Sequence, residues 1–186
     1  MREVEADTPV WKIADAVTAG SVTAEAVTRT TLDRIAATNG GINAVTDLLA
    51  DRALATARRV DADRSSGKPL GPMAGVPFAV KNLFDIKGLT TRAGSKINRD
   101  LPPATEDGVL IQRLESAGAV LVGALNMGEY AYDFTGENAH DGPCRNPHDP
   151  SRMAGGSSSG SGAAVGAGMV PLALGSDTNG SIRVPA

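Results

Sequence analysis

Hydrophobic positions in the first third of the chain recur at helical spacing. Ala24, Val27, Thr31 and Ile35 fall on one face, behind Thr23 as N-cap and with Glu25 in the first turn. Asn39-Gly40-Gly41 is expected to end that helix. A second stripe, Ala50, Ala53, Leu54, Ala57 and Val60, has the same period, and the arginines and aspartates between these positions face water. Residues 8–63 therefore read as helical, a packing layer without chemistry of its own. Residues 64–69, Arg-Ser-Ser-Gly-Lys-Pro, form a polar linker.

Beyond the linker the pattern becomes α/β. Residues 76–80 are a short apolar run with Pro77 near its start, which predicts a buried strand. Residues 107–117 read as a helix ended by Gly118, and residues 119–125 as a second buried strand, parallel to the first. Residues 135–160 are rich in Gly, Asn, Asp, Pro and Ser and read as one long loop, a length that is usually functional. Residues 163–169 suggest a short helix of small residues, and residues 172–174 a short strand. The sequence stops at Ala186, directly after Gly180-Ser181-Ile182-Arg183-Val184-Pro185, with no element to complete that motif. The fold class expected is α/β, a mixed, mostly parallel sheet flanked by helices and incomplete at the C-terminus.

Composition narrows the function classes. The 186 residues fit one domain, long enough to bury a core, and 41% apolar residues is ordinary for a globular chain. The net charge of −3 gives no electrostatic reason for nucleic acid or an anionic membrane as partner. Cys144 is the single cysteine, which excludes an intrachain disulfide and a Cys-rich zinc site. The stretch MREVEADTPVWK lacks the apolar core of a signal peptide, and no run reaches the length of a membrane span. A cytoplasmic location is expected. The 22 glycines concentrate in the last third, where they serve backbone geometry.

The chemistry sits in two Gly/Ser segments. The first is Gly155-Gly156-Ser157-Ser158-Ser159-Gly160-Ser161-Gly162; the second is Gly175-Ser176-Asp177-Thr178-Asn179-Gly180-Ser181. A serine nucleophile needs a base, and a Gly-rich turn can point several N–H groups at a developing oxyanion. A G-x-S-x-G centred on Ser158 would suit an α/β-hydrolase. That reading needs a strand before it and a later catalytic histidine; residues 149–154 do not read as a strand, and no histidine follows His148. No lysine follows Lys96, which excludes a Walker A loop. A flexible Gly/Ser linker remains the bland alternative. Cys144 reads as a bystander, and the spacing of His140 and His148 fits no common metal site. No metal and no cofactor are expected.

The ordered set Gly75-Val76-Pro77-Phe78-Ala79-Val80-Lys81-Asn82, Arg145-Asn146-Pro147, Gly155-Gly156-Ser157-Ser158, Leu174-Gly175-Ser176-Asp177-Thr178 and Gly180-Ser181-Ile182-Arg183 resembles the amidase signature family over about 110 residues. The resemblance divides the chain into a helical N-terminal region, 1–74, and the N-terminal part of the catalytic core, 75–186. It implies a Ser–Ser–Lys triad. Ser181 matches the nucleophile, Ser157 the bridging serine held by a cis peptide after Gly156, and Lys81 a base made neutral by burial. The backbone N–H groups of Thr178, Asn179, Gly180 and Ser181 match the oxyanion hole, and a helix starting near Ser181 would add its dipole. Gly156, Ser158, Asp177 and Arg183 support the site, the last two as an ion pair bracing the turn. Taken alone, Lys81 could simply cap a strand end.

Two positions depart from the usual family run: Ser159 follows the two serines, and Asn179 precedes Gly180. They point away from general aliphatic or fatty-amide substrates. Residues 128–143, with Asn179-Gly180-Ser181, look most like the carboxybiuret hydrolase branch. That branch implies a small linear amide or urea substrate in cyanuric acid breakdown and release of ammonia. Possible partners are a second copy, as a homodimer, and a small accessory subunit. The runner-up is the tRNA-dependent amidotransferase, whose A subunit these proteins resemble. Family members are more than twice this length, so the isolated chain is expected to be poorly active, at most a binding module.

Overall fold

The computed structural model of the chain describes residues 5–186. Residues 1–4, the beginning of the N-terminal stretch read above, lie outside the described residues. Three helices build the helical zone: α1 (Val10–Thr18), α2 (Ala24–Ile42) and α3 (Ala50–Ser65). Thr23 caps α2, its Oγ1 accepting from Ala26 N–H at 3.1 Å. Ala24, Val27, Thr31 and Ile35 form its buried face, and Ala53, Ala57 and Val60 belong to that of α3.

The zone departs from the expected pattern twice. Helix α2 runs through Asn39-Gly40-Gly41 and stops one turn later, where Asn43 takes the left-handed conformation at φ 58. Asn39 instead exchanges two hydrogen bonds with the Val45 backbone, at 2.9 and 2.8 Å, which leads the chain into a strand. That strand, β1 (Val45–Leu48), lies inside the stretch expected to be helical. Four residues are too few to show a period; what makes them a strand is an open sheet edge to pair with.

The remaining elements are β2 (Pro77–Lys81), α4 (Val109–Ser116), β3 (Val120–Leu125), β4 (Arg145–Asn146), β5 (Asp149–Met153), α5 (Ser159–Gly166) and β6 (Ala173–Leu174). The main sheet has the order β1-β3-β2-β6. Strands β3, β2 and β6 are parallel and β1 is antiparallel to β3, so the sheet is mixed and mostly parallel.

Every residue of β2 and β3 is buried, because helices cover both faces. Ala79, Val120 and Val122 pack with α1, α2, α3 and α5; Phe78, Val80 and Leu121 pack on the other face with Ile111 of α4. Burying a side chain of the size of Phe78 or Leu121 stabilises by about 1.5–3 kcal/mol. A bulge beside Gly123 shifts the register, and after it Ala124 joins the α4 face while Leu125 joins the opposite one.

Local corrections have identifiable causes. Helix α4 begins at Val109, not 107. Asp107 is occupied elsewhere, accepting from both Arg52 Nη atoms and from Lys87 N–H, each at 2.8 Å. Residues 135–160 are not all loop, since β4 and β5 form a two-stranded antiparallel ribbon. Residues 149–153 are therefore a strand, contrary to the expectation; their exposed, polar side chains carry no alternating signal. This strand lies outside the main sheet, so it does not restore an α/β-hydrolase arrangement. Helix α5 starts at Ser159, four residues before the expected 163, and stops at Gly166.

Candidate active site

The parallel strands deliver the residues after them to one end of the sheet. Lys81 closes β2, Asn126 follows β3, and Gly175-Ser176 follow β6. Helix α5 packs on β6, β2 and β3, and its serine-rich start meets the same end, Gly160 N–H donating to Asn126 O at 2.9 Å. Both Gly/Ser segments of the sequence thus converge on Lys81.

The Lys81 side chain is fully buried. Its Nζ donates to Ser157 Oγ at 2.7 Å and to Ser176 Oγ at 2.9 Å. Desolvation lowers its pKa from 10.5 to about 8, against an opposing pull from the Asp177 charge. The amine at the end of β2 thus meets two serine hydroxyls.

Ser157 is buried and follows a cis peptide bond after Gly156. Its carbonyl accepts from Gly128 N–H at 3.0 Å. A side chain on Gly156 would come within 2.9 Å of Asp133 O, so only glycine fits there. Ser158 hydrogen-bonds within the site: its Oγ accepts from Ser176 N–H and donates to Ser176 O, both at 3.2 Å. Ser161 adds a tie from α5, donating to Leu174 O at 2.9 Å.

Ser181 is also buried, and its backbone meets the Ser157 segment where Ser158 N–H donates to Ser181 O at 3.0 Å. Asp177 organises the turn that carries Ser181. Its carboxylate accepts from the N–H groups of Gly180, Ile182 and Arg183, at 2.8, 2.8 and 3.1 Å, and pairs with the Arg183 guanidinium at 2.7 Å. The Arg183 hydrogen bond, then those backbone donors, hold its pKa far below the usual carboxylate range.

One expectation changes here. The N–H of Gly180, one of the four expected to line an oxyanion hole, donates to Asp177 at 2.8 Å. Residues 181–185 form a turn, in which Val184 N–H donates to Gly180 O at 2.8 Å, the i→i−4 spacing of a helical turn.

A cavity of about 740 Å³ adjoins this cluster, lined by Phe134, Ser158, Gly175, Ile182 and Val184 among others. His148 also borders it, whereas His140 pairs with Glu129 at 3.1 Å. Among the described residues no group of three or more His, Cys, Asp or Glu side chains gathers as a metal site. Cys144 is buried, and desolvation pushes its thiol up to about 12, so it is not a thiolate at neutral pH. The residue that sequence reading missed is Ser176. Its position directly before Asp177 in the quoted motif was visible, but its contact with a lysine 95 positions away was not.

A buried amine thus meets serines from two Gly-rich turns. The chain belongs to the amidase signature family: the family model for Amidase matches residues 26–186. It is 61% identical over 175 residues to AtzE, a subunit of the 1-carboxybiuret hydrolase of Pseudomonas sp. (strain ADP), covering 94% of this chain and 38% of that protein. It is 48% identical over 176 residues to the A subunit of the glutamyl-tRNA(Gln) amidotransferase of Acidothermus cellulolyticus, covering 94% of this chain and 34% of that protein. Among solved structures it resembles a chain of an inhibitor-bound, vestigial protein complex described as revealing the evolutionary origins of an s-triazine catabolic enzyme. The TM-score is 0.94 at 59% identity, over 95% of this chain and 39% of that one. The chain thus spans well under half the length of these relatives. Among the described residues no helix is long and apolar enough to cross a membrane.

Proposed function

We propose that the whole protein is an amidohydrolase that cleaves a C–N bond of a small linear urea derivative, 1-carboxybiuret or a biuret-like amide, and releases ammonia. The observation that carries this reading is the fully buried Lys81 amine, 2.7 Å from Ser157 Oγ and with a pKa lowered to about 8. Neutral Lys81 takes the Ser157 proton while Ser157 takes that of Ser181. The Ser181 oxygen bonds to the carbonyl carbon, and the N–H groups of Thr178, Asn179 and Ser181 face the oxyanion. The proton returns through Ser157 to the leaving nitrogen as the C–N bond breaks. Water then attacks the acyl-serine, and its proton follows the same path to regenerate Ser181.

The 61% identity to a chain of 1-carboxybiuret hydrolase supports the substrate class. The related structure comes from a protein complex, which supports a small accessory subunit in addition to a homodimer. In this reading 75–186 carries the chemistry, 1–74 packs on it, and the setting is the cytoplasm, in the breakdown of cyanuric acid. A second reading, supported by 48% identity, is the A subunit of a tRNA-dependent amidotransferase fed by glutamine.

The test is to supply the purified intact protein with 1-carboxybiuret, biuret or glutamine and to measure ammonia. Release from 1-carboxybiuret, lost in Ser181→Ala, is the expected result. Release from glutamine alone would replace the first reading by the second. A folded protein with no turnover and no fluorophosphonate adduct on Ser181 would overturn both.

A further inference from the structure

The Lys81 amine has two hydroxyl neighbours, and the relay uses one. We propose that Ser176 is a positioning residue: its Oγ takes one N–H of Lys81, so that the amine's lone pair is turned toward Ser157. The inference rests on the hydrolase reading above and concerns a residue to which that reading gives no role.

The chemistry requires such an arm. A neutral lysine amine has two N–H bonds and one lone pair, and its terminal C–N bond rotates freely. A base works only when the lone pair points at the proton to be moved. Ser157 Oγ lies 2.7 Å from Nζ and Ser176 Oγ 2.9 Å, on segments from different parts of the chain. With one N–H committed to Ser176, the lone pair can accept the Ser157 proton. After transfer, the ammonium has an acceptor on each side, Ser157 Oγ and Ser176 Oγ. One proton moves from Ser157 to Nζ, and Ser176 keeps its own.

Ser176 is itself held. Ser158 Oγ bonds both its N–H and its carbonyl at 3.2 Å. Gly175, just before it, has no room for a side chain: a Cβ would lie 2.9 Å from Ser158 Oγ. The next residue, Asp177, is tied to three backbone N–H groups and to Arg183. A hydroxyl fixed on both sides of its own backbone can orient a flexible amine; a mobile one could not.

The experiment compares Ser176→Ala, Ser176→Thr and Ser176→Val in the intact protein. Thr and Val have nearly the same shape and differ in the hydroxyl. Ser176→Ala and Ser176→Val should lower kcat by roughly ten- to a hundredfold, part of the full value of a general base, with KM little changed. Removing an acceptor from the ammonium favours the neutral amine. The Lys81 titration should therefore move to lower pH by about one pH unit, the size of one hydrogen bond to a charged group. Ser176→Thr should restore both quantities. Lys81 titration is read directly by the pH dependence of its side-chain NMR shifts in lysine-labelled protein, which needs no turnover and no access to the amine. Equal behaviour of Thr and Val, or an unmoved Lys81 titration in Ala and Val, would overturn the proposal. If wild-type Ser181 takes no fluorophosphonate, the hydrolase reading fails instead, and the Lys81 titration still decides the Ser176 contact.

Discussion

Burying a lysine costs free energy, and at Lys81 the size of that cost links stability to chemistry. Its pKa falls from 10.5 to about 8 on folding. Between those values the unfolded chain holds a proton that the folded chain does not, so stability rises with pH across that window. Below pH 8 the full penalty, about 3 kcal/mol, opposes folding. Lys81→Met removes it and loses two hydrogen bonds, each contributing about 1 kcal/mol. The variant should therefore unfold at the same temperature as wild type or slightly higher at pH 7, which calorimetry measures. Its activity should fall by roughly 10²–10⁴-fold, the usual value of a general base. In the proposed mechanism only the neutral amine accepts the proton, so kcat/KM should climb as pH rises and level off above about 8. Much of this residue scale is legible in the sequence. Lys81 closes an apolar run, and the serines and glycines around 157 and 181 have few bland uses. Ser176 escapes because nothing local marks a serine that serves a distant amine.

Elements position these residues through close backbone contacts. Helix α5 starts at Ser159 because its first turn is pressed against the strand ends, and Gly160 makes the approach possible. A Cβ at that position would lie 2.5 Å from Asn126 N and collide with Ala44 O. Both obstacles are backbone and cannot rotate away. Gly160→Ala should destabilise by about 1–3 kcal/mol in a urea titration, despite alanine's better helix propensity. It should also weaken turnover of the proposed hydrolase, because Ser157 lies two residues before the start of α5. The sequence pattern places this helix four residues too late, since Ser-Gly-Ser-Gly carries a loop signal. That signal is outweighed by packing that only glycine permits. The same override places β1 inside an apparently helical stretch and makes a ribbon out of polar residues 145–153.

The main sheet draws strands from both parts of the chain. Strand β1 comes from the helical zone and covers the edge of β3, pairing Val45 with Leu125 and Leu48 with Gly123. Residues 1–74 are thus more than a coat, and residues 75–186 expressed alone should lack a sheet edge and one face of the core. That piece should show little protection in amide hydrogen exchange at β2 and β3, whereas the 186-residue chain should protect them strongly. Native-like protection in the piece would show that the helical zone is dispensable. The sequence alone determined what short-range chemistry can express: the helical stripes, the two buried strands, and the Gly/Ser segments with a lysine ahead of them. Strand partners, the start of α5, and the meeting of Lys81 with Ser157 and Ser176 were decided only in three dimensions. Those features depend on which backbone lies within reach across 76 and 95 positions of chain, and no local pattern of polarity encodes such a distance.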